Sequence, residues 1–421
     1  MIRRTAIWGF VLCIGLALVS LTVPSRADVQ GIASPGDPAP IAAALARAVD
    51  RGDTPGVVGL VVDRDGVLFE GASGKFDLGR DVPLSTDAIF NIASMTKPVT
   101  SVAIMMLLEQ GKLALDDPVS KYLPGFDRLE VITKFNAADG TYETRPAKRT
   151  MTLRHLLTHT SGIGYGFSSP IVERLQQGNQ KAEWELPLLH DPGERWTYGA
   201  STRVLGLIVE RITGETLEAY FQEHIFVPLG MIDTSFAVPA AKQSRLITVY
   251  SHADGKFQQR PGGTVPSAPT PPFRGDGGLY STARDYGQFM RMLLNRGRLG
   301  DARILSSKSV ALMSRNQIGA VFVSQQPAAN AALTRPFPLG AGRDKFGLGF
   351  QISAPSDDGT QYRSPGSLSW AGIFNTEFWV DPKRGLGAVL MMQYLPFYDQ
   401  GAIRTLRDFE AAVYQQLRPR H

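Results

Sequence analysis

The stretch from Ser94 to Gly111 limits this chain most. Val102, Ile104, Met105, Leu107 and Leu108 fall at mixed spacing, so a helix here is apolar around most of its circumference. Such a helix has no face to give to water, and the rest of the chain must close around it. Gly111 is a suitable stop. The material for that closure exists: 421 residues, 43% hydrophobic and 20% charged, suffice for a sizeable core.

The flanking segments say what closes around it. Ile41, Leu45, Ala46 and Val49 repeat at helical spacing. Val57 to Val62 and Val67 to Ala72 are β-rich runs joined by Asp63-Arg64-Asp65-Gly66, a hairpin signature. Helices are expected over Leu153–Thr158, Thr202–Thr213, Leu217–Phe226 and Asp285–Asn295, and Arg260–Gly278 reads as a Pro/Gly-rich connection. Strand patterns return at Phe346–Ser353, Phe374–Val380 and Gly387–Gln393, and Ile403–Leu417 is an amphipathic helix. Strands at both ends with helices between them predict an α/β fold of the α+β type: one central antiparallel sheet flanked by helices. The α/β part spans about 41–110 and 275–421 and a mainly helical part about 111–274, within one domain from 28 to 421. An insertion runs from Leu129 to Thr150.

The first 27 residues read as a secretory signal. Arg3 and Arg4 precede an uncharged apolar run from Ala6 to Val23, and Ser25-Arg26-Ala27 offers a cleavage site that would leave Asp28 first. The expected location is periplasmic or secreted, with a membrane anchor as the alternative if the run is not cleaved. The formal charge of +5 falls to +2 without Arg3, Arg4 and Arg26, a balance that makes no case for nucleic acid. After removal of the signal no stable membrane partner is expected. Cys13, the one cysteine, lies in the signal run, so the mature chain has no disulfide, thiol nucleophile or cysteine metal site.

Ser94-Met95-Thr96-Lys97 opens the buried helix, and residues three apart share a helix face. A serine hydroxyl is a poor nucleophile until a neighbour takes its proton, and a lysine does so once desolvation or nearby charge lowers its pKa. The helix start also supplies N–H groups for a developing oxyanion. A capping serine followed by a surface lysine would write the same four letters, so context must decide.

Phe90-Asn91-Ile92-Ala93-Ser94-Met95-Thr96-Lys97-Pro98 resembles the nucleophile segment of the serine β-lactamase and penicillin-binding superfamily, and more closely that of family VIII carboxylesterases, relatives of class C β-lactamases. His155-Leu156-Leu157-Thr158-His159-Thr160-Ser161-Gly162 is similar to a segment common there. Tyr198-Gly199-Ala200-Ser201, after Pro192-Gly193, resembles the second catalytic motif, and Trp370-Ala371-Gly372 the third. The resemblance covers about Val57 to Gln393 and implies a β-lactamase-like fold. It also implies Tyr198 as a second proton-transfer residue, a phenol expected to ionise more easily beside the Lys97 ammonium. The oxyanion hole it implies is the backbone N–H of Ser94 and of Ile373, and no metal or cofactor is implied.

Two departures point to substrate. Lactamases and penicillin-binding proteins often carry Tyr-x-Asn and Lys-Thr-Gly, and here Ala200 and Trp370 stand at the amide and cation positions. Neither can hold a peptide-like amide or a carboxylate, whereas a Trp wall with Ala371 and Gly372 suits an apolar acyl or alcohol group. The resemblance therefore implies a small neutral ester as substrate, short acyl chains above all, with β-lactams as a side activity. The alternatives are a β-lactamase or D-alanyl-D-alanine carboxypeptidase, an acyltransferase or amide hydrolase, and a non-catalytic peptidoglycan-binding protein. Histidines 155 and 159 are four apart, a zinc spacing, but no Glu follows His155 and His190, His224 and His252 form no cluster in sequence. Gly-x-Ser-x-Gly is absent, which sets aside a nucleophile elbow. Phe378 and Trp379 are expected on opposite faces of a core strand.

Overall fold

A computed structural model of the chain describes residues 39–178, 180–261, 265–356 and 362–417. The proposed signal, its cleavage site and Cys13 lie outside these residues, and among the described residues no helix is long and apolar enough to cross a membrane.

The apolar segment is indeed central. Helix α2 (Thr96–Glu109) has every residue from Thr96 to Met105 buried. Its apolar side chains each contribute on the order of 1.5–3 kcal/mol by leaving water. Around it stands an antiparallel sheet of eight strands that joins the two ends of the chain: β1 (Gly56–Val62), β2 (Val67–Asp77), β3 (Val82–Pro83), β4 (Lys345–Phe346), β5 (Gln351–Ile352), β6 (Leu368–Gly372), β7 (Thr376–Asp381) and β8 (Leu386–Met391). The spatial order is β4-β5-β6-β7-β8-β1-β2-β3. Strand β1 is buried throughout because both faces are covered. Val58, Leu60 and Val62 join the α2 core, while Val57 and Val61 join the core of α1 (Ala39–Asp50) and α5 (Gln400–Gln416). Phe378 and Trp379 divide in the same way, to the α2 core and the α5 core respectively. Helix α4 (Ala283–Leu294) packs on the α2 side, against β1 and β8.

Two expectations need correction and a third needs an addition. Phe346–Ser353 is not one strand but β4 and β5 with a turn between, because Gly349 (φ +95°) tucks the chain against Ser101 of α2. Leu217–Phe226 is α-helical to Phe221 and continues as a wider π turn. The middle region carries sheet as well as helix: hairpins Glu130–Phe135/Tyr142–Pro146 and Tyr250–Ala253/Lys256–Gln259 interrupt it. The first hairpin is the 129–150 insertion. It is tied down by the Val131–Leu188 bridge and by Arg145 paired to Asp191 at 2.6 Å.

Candidate active site

Ser94 sits in a single 3-10 turn, Ala93–Met95, that leads into α2. The Asn91 side chain accepts the Ala93 N–H at 3.0 Å, and Ala93 is held at φ +43°, a left-handed conformation that costs a residue with a Cβ. That strain presents Ser94 at the mouth of the helix, where N–H groups lack intrahelical partners.

Lys97 and Tyr198 both reach Ser94. The Lys97 ammonium donates to Ser94 Oγ at 3.0 Å and to the main-chain carbonyl of Asp276 at 2.6 Å, and the Tyr198 hydroxyl donates to Ser94 Oγ at 2.7 Å. Burial lowers the Lys97 pKa to about 7, with Arg274 and Arg203 pushing the same way against the Asp276 carboxylate. A pKa lowered to that range lets Lys97 present an amine lone pair to Ser94 at neutral pH. The Tyr198 expectation is corrected. Burial raises its pKa, and Lys97 Nζ lies over the ring, 4.8 Å from its centroid. Tyr198 is thus a protonated phenol in the resting site.

Behind Lys97 lies a charged group that sequence reading passed over as a connection. The Asp276 carboxylate is buried, receives Arg203 at 2.7 Å and the Tyr165 hydroxyl at 2.5 Å, and has Arg274 at 3.5 Å. These partners and Lys97 outweigh its burial and hold it well below the usual carboxylate range. Two guanidinium groups share the negative charge with Lys97, whose own hydrogen bond goes to the Asp276 main-chain carbonyl and not to the carboxylate. The signal was present in Arg274-Gly275-Asp276-Gly277, two opposite charges in a glycine-rich segment.

The His155–Gly162 segment is scaffold for Tyr198. The His159 carbonyl accepts the Thr197 N–H at 2.8 Å, and Ser161 Oγ meets Ser201 Oγ at 2.8 Å. Ser201 is the first residue of α3 (Ser201–Thr213), and Ala200 stands at the cap position before it. A Cβ on Gly199 would sit 1.9 Å from the Ile163 carbonyl, so a glycine must follow Tyr198 for the two segments to touch. The two histidines do not converge on a metal. His155 Nδ1 accepts the Thr152 N–H at 3.1 Å, while His159 is fully buried among Trp196, Tyr198, Phe346 and Trp370 and kept neutral by that burial. Among the described residues one group lies close enough for a metal, Glu215, Glu223 and His224, and none of it lines the cavity at Ser94.

The third motif forms the end of β6. Gly372 is required there, because a Cβ would come 2.4 Å from the carbonyl of Ile92, two residues before Ser94. This contact ties the strand end, and Ile373 beyond it, to the Ser94 turn. A cavity of about 340 Å³ opens at Ser94, a size fit for a small molecule. Tyr198, Trp370, Phe167, Phe337 and Ile373 line its near part. The Trp370 ring is buried 5.1 Å from that of Tyr198, so aromatic surface stands where a cation or amide would face substrate in relatives with those groups. Ala371 and Ser94 also border the cavity, whereas no residue of the 129–150 insertion does. The loop from Phe337 to Asp344 and Phe397-Tyr398, which also line it, carried no mark in the sequence.

The β-lactamase family model matches residues 41–413. Monacolin J acid methylbutanoyltransferase of Aspergillus terreus is 32% identical over 402 residues, covering 89% of this chain and 94% of its own. Lovastatin esterase of Penicillium rubens is 30% identical over 394 residues, covering 88% and 96%. The solved structure of unliganded selenomethionyl simvastatin synthase from Aspergillus terreus superposes with a TM-score of 0.76 at 29% identity, over 89% of this chain and 97% of that one. With nearly all its described length matched and Ser94, Lys97 and Tyr198 in mutual contact, the chain belongs to the β-lactamase family, as a serine enzyme of the hydrolase or acyltransferase kind.

Proposed function

We propose that this protein cleaves small carboxylic esters through an acyl-enzyme on Ser94. The observation that carries the reading is Ser94 Oγ held between the buried Lys97 at 3.0 Å and the Tyr198 hydroxyl at 2.7 Å, beside a cavity walled by Trp370. Lys97 takes the Ser94 proton as Oγ attacks the ester carbonyl. The Ser94 and Ile373 N–H groups receive the oxyanion. Tyr198 hands its proton to the departing alcohol oxygen and regains one from Lys97, and water enters by the reverse path. Trp370 and Ala200 favour a neutral ester over a lactam carboxylate or peptide amide. Export by cleavage after Ala27 belongs to the same proposal.

The test is a paired rate assay of a short-chain p-nitrophenyl ester and a chromogenic cephalosporin, with Ser94→Ala as control. Ester turnover that exceeds lactam turnover and vanishes in Ser94→Ala is the expected result; dominant lactam turnover overturns the substrate assignment. A second reading, acyl transfer to an alcohol, is favoured by the likeness to a methylbutanoyltransferase. The same acyl-enzyme serves it, with an alcohol in the place of water. Product analysis with a competing alcohol distinguishes the two.

A further inference from the structure

The cavity at Ser94 does not end at the aromatic wall. Strand β6 pairs with β5 only at Leu368 and Ser369; beyond them Trp370, Ala371 and Gly372 present an edge with no strand partner among the described residues. The cavity wraps around this edge. Trp370 and its cross-strand neighbour Phe378 lie on the α2 face of the sheet, while Ser369 and Glu377 lie on the face toward α5, as alternation requires. On that second face the cavity continues into a polar chamber that includes Glu377 and reaches Glu410 of α5.

Glu377 is unusual in this setting. It is 7% exposed, lines the cavity, and its carboxyl makes no hydrogen bond to any described residue. A buried carboxyl without a partner is costly, and in a cavity wall a ligand is the natural partner. The other charges facing the chamber pair off. Arg363 meets Glu410 at 3.2 Å and lies over the Trp379 ring, and Arg343 meets Asp344 at 3.4 Å. Arg407 stands exposed at the rim, and Tyr398 accepts the Leu339 N–H. Among the described residues no unbalanced charge is left inside for an ionic ligand, and burial, against the pull of Arg363, raises the Glu377 pKa to about 8, which favours the neutral acid at pH 7.

We propose that this chamber is a second specificity subsite, in which Glu377 donates a hydrogen bond to a neutral oxygen, carbonyl or ether, on the ester's acyl or alcohol arm. The proposal rests on Ser94 as the acyl-enzyme nucleophile and adds what the remote end of the substrate carries. A carboxylic acid held neutral in an apolar site is an established way to make such a donor. Glu377 acts here as a binding residue, remote from the bond that breaks.

Two ester pairs test it: p-nitrophenyl pentanoate against 4-oxopentanoate, and heptanoate against 6-oxoheptanoate. The ratio of kcat/KM within a pair cancels the titration of Lys97. Wild type should favour the oxo ester at least tenfold in one pair near pH 7, with the preference falling above pH 8 as Glu377 ionises. Glu377→Leu should bring the ratio to about one, and Glu377→Gln should keep it without the pH dependence. A ratio near one in wild type, or one unchanged by Glu377→Leu, overturns the proposal. So does a preference for p-nitrophenyl 6-aminohexanoate that grows above pH 8, which would make the chamber a cation site. Calorimetric binding of methyl 6-oxoheptanoate to Ser94→Ala protein separates this inference from the esterase reading. Binding lost on adding Glu377→Leu supports the subsite even if no ester turns over, and binding indifferent to that change refutes it.

Discussion

Arg203→Met is the perturbation whose outcome follows most closely from the geometry. Arg203 holds Asp276 at 2.7 Å and lowers the pKa of Lys97, which lies on the other side of that residue. Removing it deletes one repelling cation and leaves the Asp276 charge less compensated, so both changes raise the Lys97 pKa. A nearby charge moves a pKa by about 1–3 units, and Arg274 at 3.5 Å still shares Asp276, so about one unit is expected. In the proposed mechanism Lys97 works as the free amine. With a pKa of about 7 roughly half is neutral at pH 7, and with one unit more about a tenth is. The variant should thus lose about fivefold in kcat/KM at pH 7 and recover wild-type rates by about pH 9. Breaking a buried pair costs about 3–5 kcal/mol, so circular dichroism must first establish that the variant is folded at the assay temperature. The assay is the pH dependence of kcat/KM on p-nitrophenyl butyrate between about pH 5 and 9.5. A folded variant whose acid limb coincides with wild type refutes the argument, because the Asp276 network would then not set the base.

Lys97→Met should abolish turnover and raise Tm at neutral pH. The folded state depresses the Lys97 pKa from 10.5 to about 7, so the unfolded chain binds more protons between those values and wild-type stability rises with pH across that window. The penalty is largest below pH 7 and vanishes above 10.5; allowing for the hydrogen bonds lost with the amine, the gain at pH 7 is about 1–3 kcal/mol by calorimetry. Tyr198→Phe removes one hydroxyl and keeps the ring, so kcat should fall on the order of 100-fold or more while Tm stays nearly constant. Near-normal turnover would return Tyr198 to a packing role.

The helix and strand pattern was legible where packing is one-sided or total. A segment apolar on most sides after Ser94 could only be central, and β1 with its hairpin partner announced itself through Asp63–Gly66. Phe346–Ser353 misled because its apolar run hides two glycines that pack against distant residues, Gly347 on the Met313 carbonyl and Gly349 on Ser101 of α2. Within the site, Ser94 and Lys97 were readable because they are local in sequence. Tyr198 needed the resemblance, and its protonation state needed the burial that the fold creates. Asp276 and Glu377 were invisible for a common reason. Asp276 is paired by Arg203 and Tyr165, far from it along the chain, and Glu377 is buried by a fold that brings Arg363 and Glu410 near it.

The central claim is a covalent acyl group on Ser94, and rapid-quench mass spectrometry during turnover of a p-nitrophenyl ester tests it most directly. The account predicts a transient mass increase equal to the acyl group, on the peptide that contains Ser94 and absent from Ser94→Ala protein. Turnover with the label on another residue, or undiminished turnover by folded Ser94→Ala protein, would contradict it.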